Sequence, residues 1–149
     1  MSTRGYDEDF FLWTQQQAEM LRHGHWSALD AANLAEEIES MGKSDRRALT
    51  SHLANLLLHA LKWEYQPERR GKSWRLSMRN ARREIELILN DSPSLQHQLP
   101  ALIDTAYPSA RRDAADETGL PLSTFPERSP FPIEQLLADD WPETATLAV

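Results

Sequence analysis

The sequence predicts an all-α fold: a bundle of five to six helices built on an antiparallel helical hairpin, with a proline-rich C-terminal segment. Residues 44–64 and residues 73–90 each carry an apolar stripe in which spacings of four and three alternate, as is typical of helices packed in a bundle. Residues 120–132 hold four of the nine prolines, which predicts an extended segment beyond the last long helix.

Length and composition limit the classes of protein to which this chain can belong. At 149 residues we expect a single helical domain over 1–149, with an ordered core at about 7–142 and a frayed tail at 143–149. The absence of cysteine excludes disulfides, thiolate chemistry and cysteine zinc sites. The acidic N-terminal stretch and the lack of a long apolar run predict neither a signal peptide nor a membrane span. We therefore expect a cytoplasmic protein.

The first helix is predicted to begin at Asp7 or Asp9 and to end at about His23. Acidic residues favour the start of a helix, and Gly24 can adopt the left-handed conformation that ends one. Consecutive apolar residues at 10–13 widen the apolar side of this helix, which predicts packing on more than one neighbour.

A second helix is predicted to begin at Ser27 or Asp30 and to stop at Gly42, before a third helix at about 44–64. The acids of the second helix are interpreted as a solvated face. Its narrow apolar stripe consists of Leu34, Ile38 and Met41.

The hairpin joins the third helix to a fourth one, for which Ser73 is the predicted N-cap. A connector of about eight residues with tryptophans on both sides predicts that the two helices run antiparallel. The residues expected to form one core are Leu53, Leu56, Ala60, Trp63, Trp74, Met78, Ala81 and Ile85.

The C-terminal part begins with a helix restart at Ser92-Pro93. Pro100 and Pro108 lie inside a continuing helical pattern, which predicts a kink or a break, and Gly119 ends the pattern. Beyond Gly119 we expect residues 120–132 to be extended and to be anchored by Phe125 and Phe131. A short last helix is expected at Ile133–Asp140.

Five stretches together make the chain resemble a bacterial family catalogued as domain of unknown function 29 (DUF29). They are YDEDFFLW, LAEEIESMG, LLLHALKWEYQPERRGKSW, SPSL and ETGLPLSTFP, and the resemblance covers Tyr6 to about Pro142. It implies a small intracellular helical domain with no agreed activity, and it offers no catalytic residues. Pro100 departs from the smoother helix that the family implies at that point.

The residue types of catalytic and metal sites are present without the spacing that such sites need. His52 and His59 are seven residues apart, roughly 10 Å along a helix, which is too far for one metal on a single helix face. A metal site would also need Glu36 or Glu39 of the second helix, or another histidine from His23 or His25, so packing is the preferred role of His52 and His59. No phosphate-binding glycine loop or nucleophile–base motif occurs. We expect no metal and no cofactor.

Positive charge is concentrated between residues 67 and 83, which carry seven basic residues and one acid inside an acidic protein of net charge −7. Arginine suits two-pronged contacts with carboxylates or phosphates. The predicted packing and pairing row is Arg75, Arg79 and Arg82, whereas Arg69, Arg70 and Lys72 are expected to lie in a loop held off the bundle. Alternatively, the whole cluster is paired internally, for example through Arg82 and Glu86. The candidate binding surface consists of Arg69, Arg70, Lys72, Trp74, Arg75, Arg79, Arg82 and Arg83.

These observations favour a non-enzymatic intracellular protein-interaction module with an unknown protein partner. The alternative is a nucleic-acid-associated protein that uses the basic connector at 69–83, and a metal-dependent or hydrolytic enzyme comes third. The sequence leaves homo-oligomerisation open and predicts no membrane partner.

Overall fold

The computed structural model describes residues 5–142, and this part of the chain is all-α, as predicted. Its helices are α1 (Phe10–Arg22), α2 (Ala31–Tyr65), α3 (Lys72–Asp91), α4 (Leu99–Thr118) and the short α5 (Ile133–Leu136). Turns of 3₁₀ helix lie at Trp26–Ala28, Pro67–Arg69, Pro93–Gln98 and Leu122–Thr124. The predicted frayed tail at 143–149 lies outside the described residues.

The chain divides into two compact units. The first unit comprises Met1–Ser44 and the second unit comprises Asp45–Val149. That the whole chain behaves as one domain stays a prediction.

In the first unit, α1 begins and ends as its sequence predicts. The Asp9 side chain accepts a hydrogen bond from the Leu12 N–H at 3.0 Å, and Gly24 has a φ of +70° just beyond the helix. The prediction that α1 packs on more than one neighbour is wrong, because Phe11 is 73% exposed and the only buried side chains of α1 are Trp13 and Gln17. Successive residues point about 100° apart on a helix, so a run of apolar residues cannot all face one partner.

The predicted second and third helices are one continuous helix, α2, which passes through Gly42. The predicted stop is wrong because Gly42 keeps a negative φ there, and an interior glycine costs a helix only about 1 kcal/mol relative to alanine. The predicted start is confirmed at Asp30, whose carboxylate accepts from the Asn33 N–H at 3.5 Å. Merging the two helices leaves four main helices and the short α5.

The second unit contains the predicted hairpin, in which the C-terminal half of α2 packs antiparallel against α3 and also against α4. The predicted core is buried, with Trp63 only 2% exposed, except that Trp74 is half-buried against it. The prediction of Ser73 as N-cap is wrong, since α3 already begins at Lys72 and Gly71, in an extended conformation, is its N-cap.

The chain leaves α3 through a 3₁₀ turn at Pro93–Gln98, so the predicted break falls before α4. Pro100 lies in the first turn of α4, where its missing N–H costs nothing, and Pro108 lies inside the helix. Gly119, with a φ of +75°, ends α4 as predicted.

Residues 119–142 form a segment, here called the strap, that lies along α3 and α4. Phe125 and Phe131 are buried as predicted, while α5 is shorter than the predicted last helix at 133–140. The strap is also held through its main chain, because Tyr107 donates to the Pro126 carbonyl at 2.6 Å and Arg111 donates twice to the Phe125 carbonyl.

Candidate binding site

The structure brings four of the predicted site residues into one groove between α3 and the strap. The remaining four lie outside its lining. This arginine groove has a volume of about 620 Å³. It is lined by Arg75, Arg79, Arg82, Arg83, Glu86, Asp139, Asp140, Trp141 and Pro142.

Helical spacing places these arginines beside the core. Arg75, Arg79 and Arg82 follow one another at i, i+4 and i+7, on the side of α3 next to the buried Met78 and Ala81. The apolar stripe fixes the rotation of α3, and this rotation turns the arginine row towards the strap.

Arg82 is a buried structural residue of the groove and is 4% exposed. Its Nε donates to the Leu136 carbonyl at 2.9 Å and its Nη2 donates to the Trp141 carbonyl at 2.8 Å. Burial lowers the pKa of Arg82, against the opposing effects of nearby acids, of which Asp139 is the strongest. The guanidinium therefore anchors the strap through carbonyl oxygens, where the sequence predicted pairing with acids.

Arg79 and Arg83 are exposed at the groove, and so are Asp139 and Asp140 on the strap side. Glu86 is the third acid of the lining. With four arginines and three acids, the groove is mixed in charge and does not form a uniformly positive track. Such an arrangement selects ligands by the positions of their charges as well as by their sign.

The loop cations do not behave as one set. Arg69 and Lys72 are exposed as predicted, but the predicted loop is not irregular, since Arg69 ends a 3₁₀ turn and Lys72 is the first residue of α3. The same prediction is wrong for Arg70, whose Nε donates to the Trp63 carbonyl at 2.7 Å and whose guanidinium lies 5.3 Å from the centre of the Trp63 ring. The carbonyls at the end of α2 lack helical partners, and Arg70 satisfies one of them.

Trp74, also predicted for the binding surface, takes part in a contact between three helices. The Lys62 Nζ of α2 lies 5.1 Å from the centre of the Trp74 ring of α3 and 2.8 Å from the Glu117 carboxylate of α4. The role of Lys62 was not predicted from the sequence, although its position beside Trp63, at the edge of the apolar stripe, was a signal for it.

Asp139 and Asp140 were considered from the sequence only as a possible carboxylate pair, and their position opposite the arginine row was not predicted. Asp139 and Asp140 lie more than fifty residues beyond Arg82, and only the path of the strap brings them to α3. The available signal was an acid pair directly after the apolar turn at Ile133–Leu137.

The two histidines of α2 are half-buried. The Nδ1 of His59 lies 2.8 Å from the Asn55 carbonyl, and burial lowers the pKa of His59. Within residues 5–142, no three His, Asp or Glu side chains are grouped so that they could hold a metal ion.

Over the same part of the chain, no helix combines the length and the apolar character needed to cross a membrane.

A family model described as "Domain of unknown function DUF29" matches residues 6–142. No curated protein and no solved structure matches the chain.

Proposed function

Because the chain belongs to the family of domains of unknown function DUF29, whose description assigns no activity, we propose a function from the geometry of the arginine groove. The protein is a cytoplasmic, non-enzymatic interaction module, and its groove receives an acidic segment of a partner protein.

The observation that carries this proposal is that the arginine groove contains one fixed arginine, Arg82, and two exposed arginines, Arg79 and Arg83. Arg82 holds the strap in place through two carbonyls, which shapes the groove before a ligand arrives. Arg79 and Arg83 then offer exposed guanidinium groups, and guanidinium binds carboxylates in a planar, two-pronged geometry. A preformed site loses little conformational freedom when it binds.

The charges of the lining favour a peptide over a nucleic acid. A phosphate backbone is a dense row of negative charge and is best neutralised by an uninterrupted basic surface. Glu86, Asp139 and Asp140 line the same groove as the arginine row, so its surface is not uniformly basic, and the whole chain carries a net charge of −7. A peptide can space its carboxylates to meet the arginines and offer N–H donors to the acids of the groove.

The proposal is tested by measuring, with fluorescence anisotropy, the binding of a short labelled peptide of alternating Glu and Ser. We expect saturable binding that weakens roughly tenfold or more in Arg79→Gln and in Arg83→Gln, since each substitution removes charge-assisted hydrogen bonds. Arg112→Gln is the matched control, because Arg112 is also exposed and lies on α4 outside the groove.

A labelled single-stranded oligonucleotide of the same net charge distinguishes the alternative function. If the oligonucleotide binds more tightly than the peptide, with a steep loss of affinity as salt is raised, the protein is a nucleic-acid binder and the proposal is wrong. Equal weakening in all three variants would show that only net charge matters, which also contradicts a specific groove.

A further inference from the structure

The first unit exposes most of the large apolar side chains that the described part of the chain leaves in solvent. Seven of the ten such residues between positions 5 and 142 lie before Ser44. Over the described residues of this unit, Trp13 is the one buried apolar side chain. A helical segment of this length with so small a core has apolar surface to spare for a partner.

The exposed apolar side chains follow helical stripes. On α1, Phe10, Phe11 and Leu21 fall within an arc of about 100° at 100° per residue. On α2, Ile38 and Met41 are separated by three residues, so they project from the same side, and each is 62% exposed. We call these five residues the docking surface.

Polar contacts hold the two helices of the first unit together without using the docking surface. The Trp13 Nε1 donates to the Asp30 carboxylate at 3.0 Å, and Gln17 accepts from the Asp30 N–H at 2.8 Å. Tyr6 donates to the Glu37 carboxylate, which raises the pKa of Tyr6 to about 12. The apolar side chains are therefore presented on a frame that is already formed.

The charge around the docking surface indicates what can cover it. Residues 5–44 carry eight acids and two basic residues. Asp7, Glu8 and Asp9 precede α1, and on α2 Glu37 lies beside the stripe, while Glu36 and Glu39 lie on the other faces of the helix. A second copy of the same surface would place acids against acids, and an anionic membrane would be repelled for the same reason.

We infer that the docking surface binds a basic amphipathic helix of a partner protein. The apolar face of that helix covers the exposed stripes, and its lysines or arginines meet the acids of the first unit, as in other complexes in which a helix is the ligand. This inference is independent of the proposed function, because it uses no residue of the arginine groove and requires a ligand of the opposite charge.

The test is isothermal titration of the full chain with a helical peptide of Leu and Lys arranged to give one apolar face. Two control peptides are used: one has the same composition in shuffled order, and the other has Glu in place of Lys. We expect saturable binding of the Leu–Lys helix, with at least tenfold weaker binding of either control. The shuffled peptide has no apolar face to bury against the docking surface, and the Glu peptide has the same sign of charge as the first unit.

The surface is located with Ile38→Ser/Met41→Ser, which should weaken binding of the Leu–Lys helix roughly tenfold or more. The matched control is Leu76→Ser/Leu87→Ser, two exposed apolar residues of α3, which should leave the affinity unchanged. Circular dichroism of both double variants should equal that of the parent, since all four side chains are exposed.

Four outcomes overturn the inference. One is the absence of binding, and another is equal binding of the Glu peptide. The third is a sedimentation mass of a dimer that Ile38→Ser/Met41→Ser converts to a monomer, which assigns the surface to a second copy. The fourth is co-sedimentation with phosphatidylglycerol vesicles that the same variant abolishes, which assigns it to a membrane.

Discussion

The two units of this protein use the same kind of helix in different ways. The described part of the second unit packs 21 buried apolar side chains into one cluster, to which α2, α3, α4 and the strap all contribute. The described part of the first unit buries Trp13 and relies on hydrogen bonds to Asp30 and Glu37. Apolar burial contributes most of the free energy of folding, whereas exposed polar contacts contribute little. The second unit is therefore the source of stability, and the first unit is free to display its apolar residues.

The largest expected effect tests the core of the second unit. Leu56→Ala removes a fully buried side chain from the seam between the helices and should lower the free energy of unfolding by about 2–5 kcal/mol. Urea denaturation followed by circular dichroism measures it. The control is Leu87→Ala, at an exposed position of α3, which should change the free energy of unfolding by no more than about 0.5 kcal/mol.

Arg82→Met tests how much the strap depends on polar anchors. Methionine keeps much of the stem packing but leaves the carbonyls of Leu136 and Trp141 without their donor, so the free energy of unfolding should fall by about 2–4 kcal/mol. Arg79→Met, at an exposed position of the same row, is the control and should have almost no effect. If both variants lose the same small amount of unfolding free energy, the apolar residues alone hold the strap.

Trp13→Ala tests the first unit, because it removes the one apolar side chain that is buried in the described part of that unit. We expect the amides of α1 to lose protection from hydrogen exchange while those of α3 keep theirs. The free energy of global unfolding should fall by no more than about 2 kcal/mol, because the loss cannot exceed the local free energy of opening. If α1 and α3 lose protection together, the two units unfold as one and the comparison between them fails.

The smallest expected effect is a gain in stability at Gly42, inside α2. An added Cβ would meet no atom within 4 Å there, and the φ of this residue is already negative. Gly42→Ala should therefore raise the free energy of unfolding by about 0.5–1 kcal/mol. Thermal denaturation measures the change. Gly119→Ala is the opposite control, since its φ of +75° strains any side chain and should make the substitution destabilising.

The stripes of the hairpin were predictable because their spacing reports burial directly. Leu53, Leu56 and Trp63 recur at the period of a packed helix face, and all three are buried. The helix stop at Gly42 was wrong because a local preference of about 1 kcal/mol does not outweigh the continuing hydrogen bonds of a long helix. The apolar pattern therefore predicted which segments are helical, but it did not predict that two of these segments form one continuous helix.

The candidate site was predictable on one side only. The arginine row of α3 follows from residue spacing within one helix, but its opposing acids come from a strap more than fifty residues away in sequence. The anchoring of Arg70 on the Trp63 carbonyl was equally hidden, because any nearby donor could satisfy a main-chain acceptor. A sequence specifies which side chains can bind, and tertiary contacts decide what they bind.

The anchoring of the strap through its main chain has a consequence for how the protein can diversify. Arg82, Arg111 and Tyr107 all donate to carbonyl oxygens, which every amino acid provides. Exchanges at the exposed strap positions Asp139 and Asp140 therefore leave these hydrogen-bond acceptors in place, although they also remove acids that favour the charged form of Arg82. Each exchange would alter the charge of the groove beside them. Related proteins could in this way acquire new partners through the strap while the helices that carry it stay unchanged.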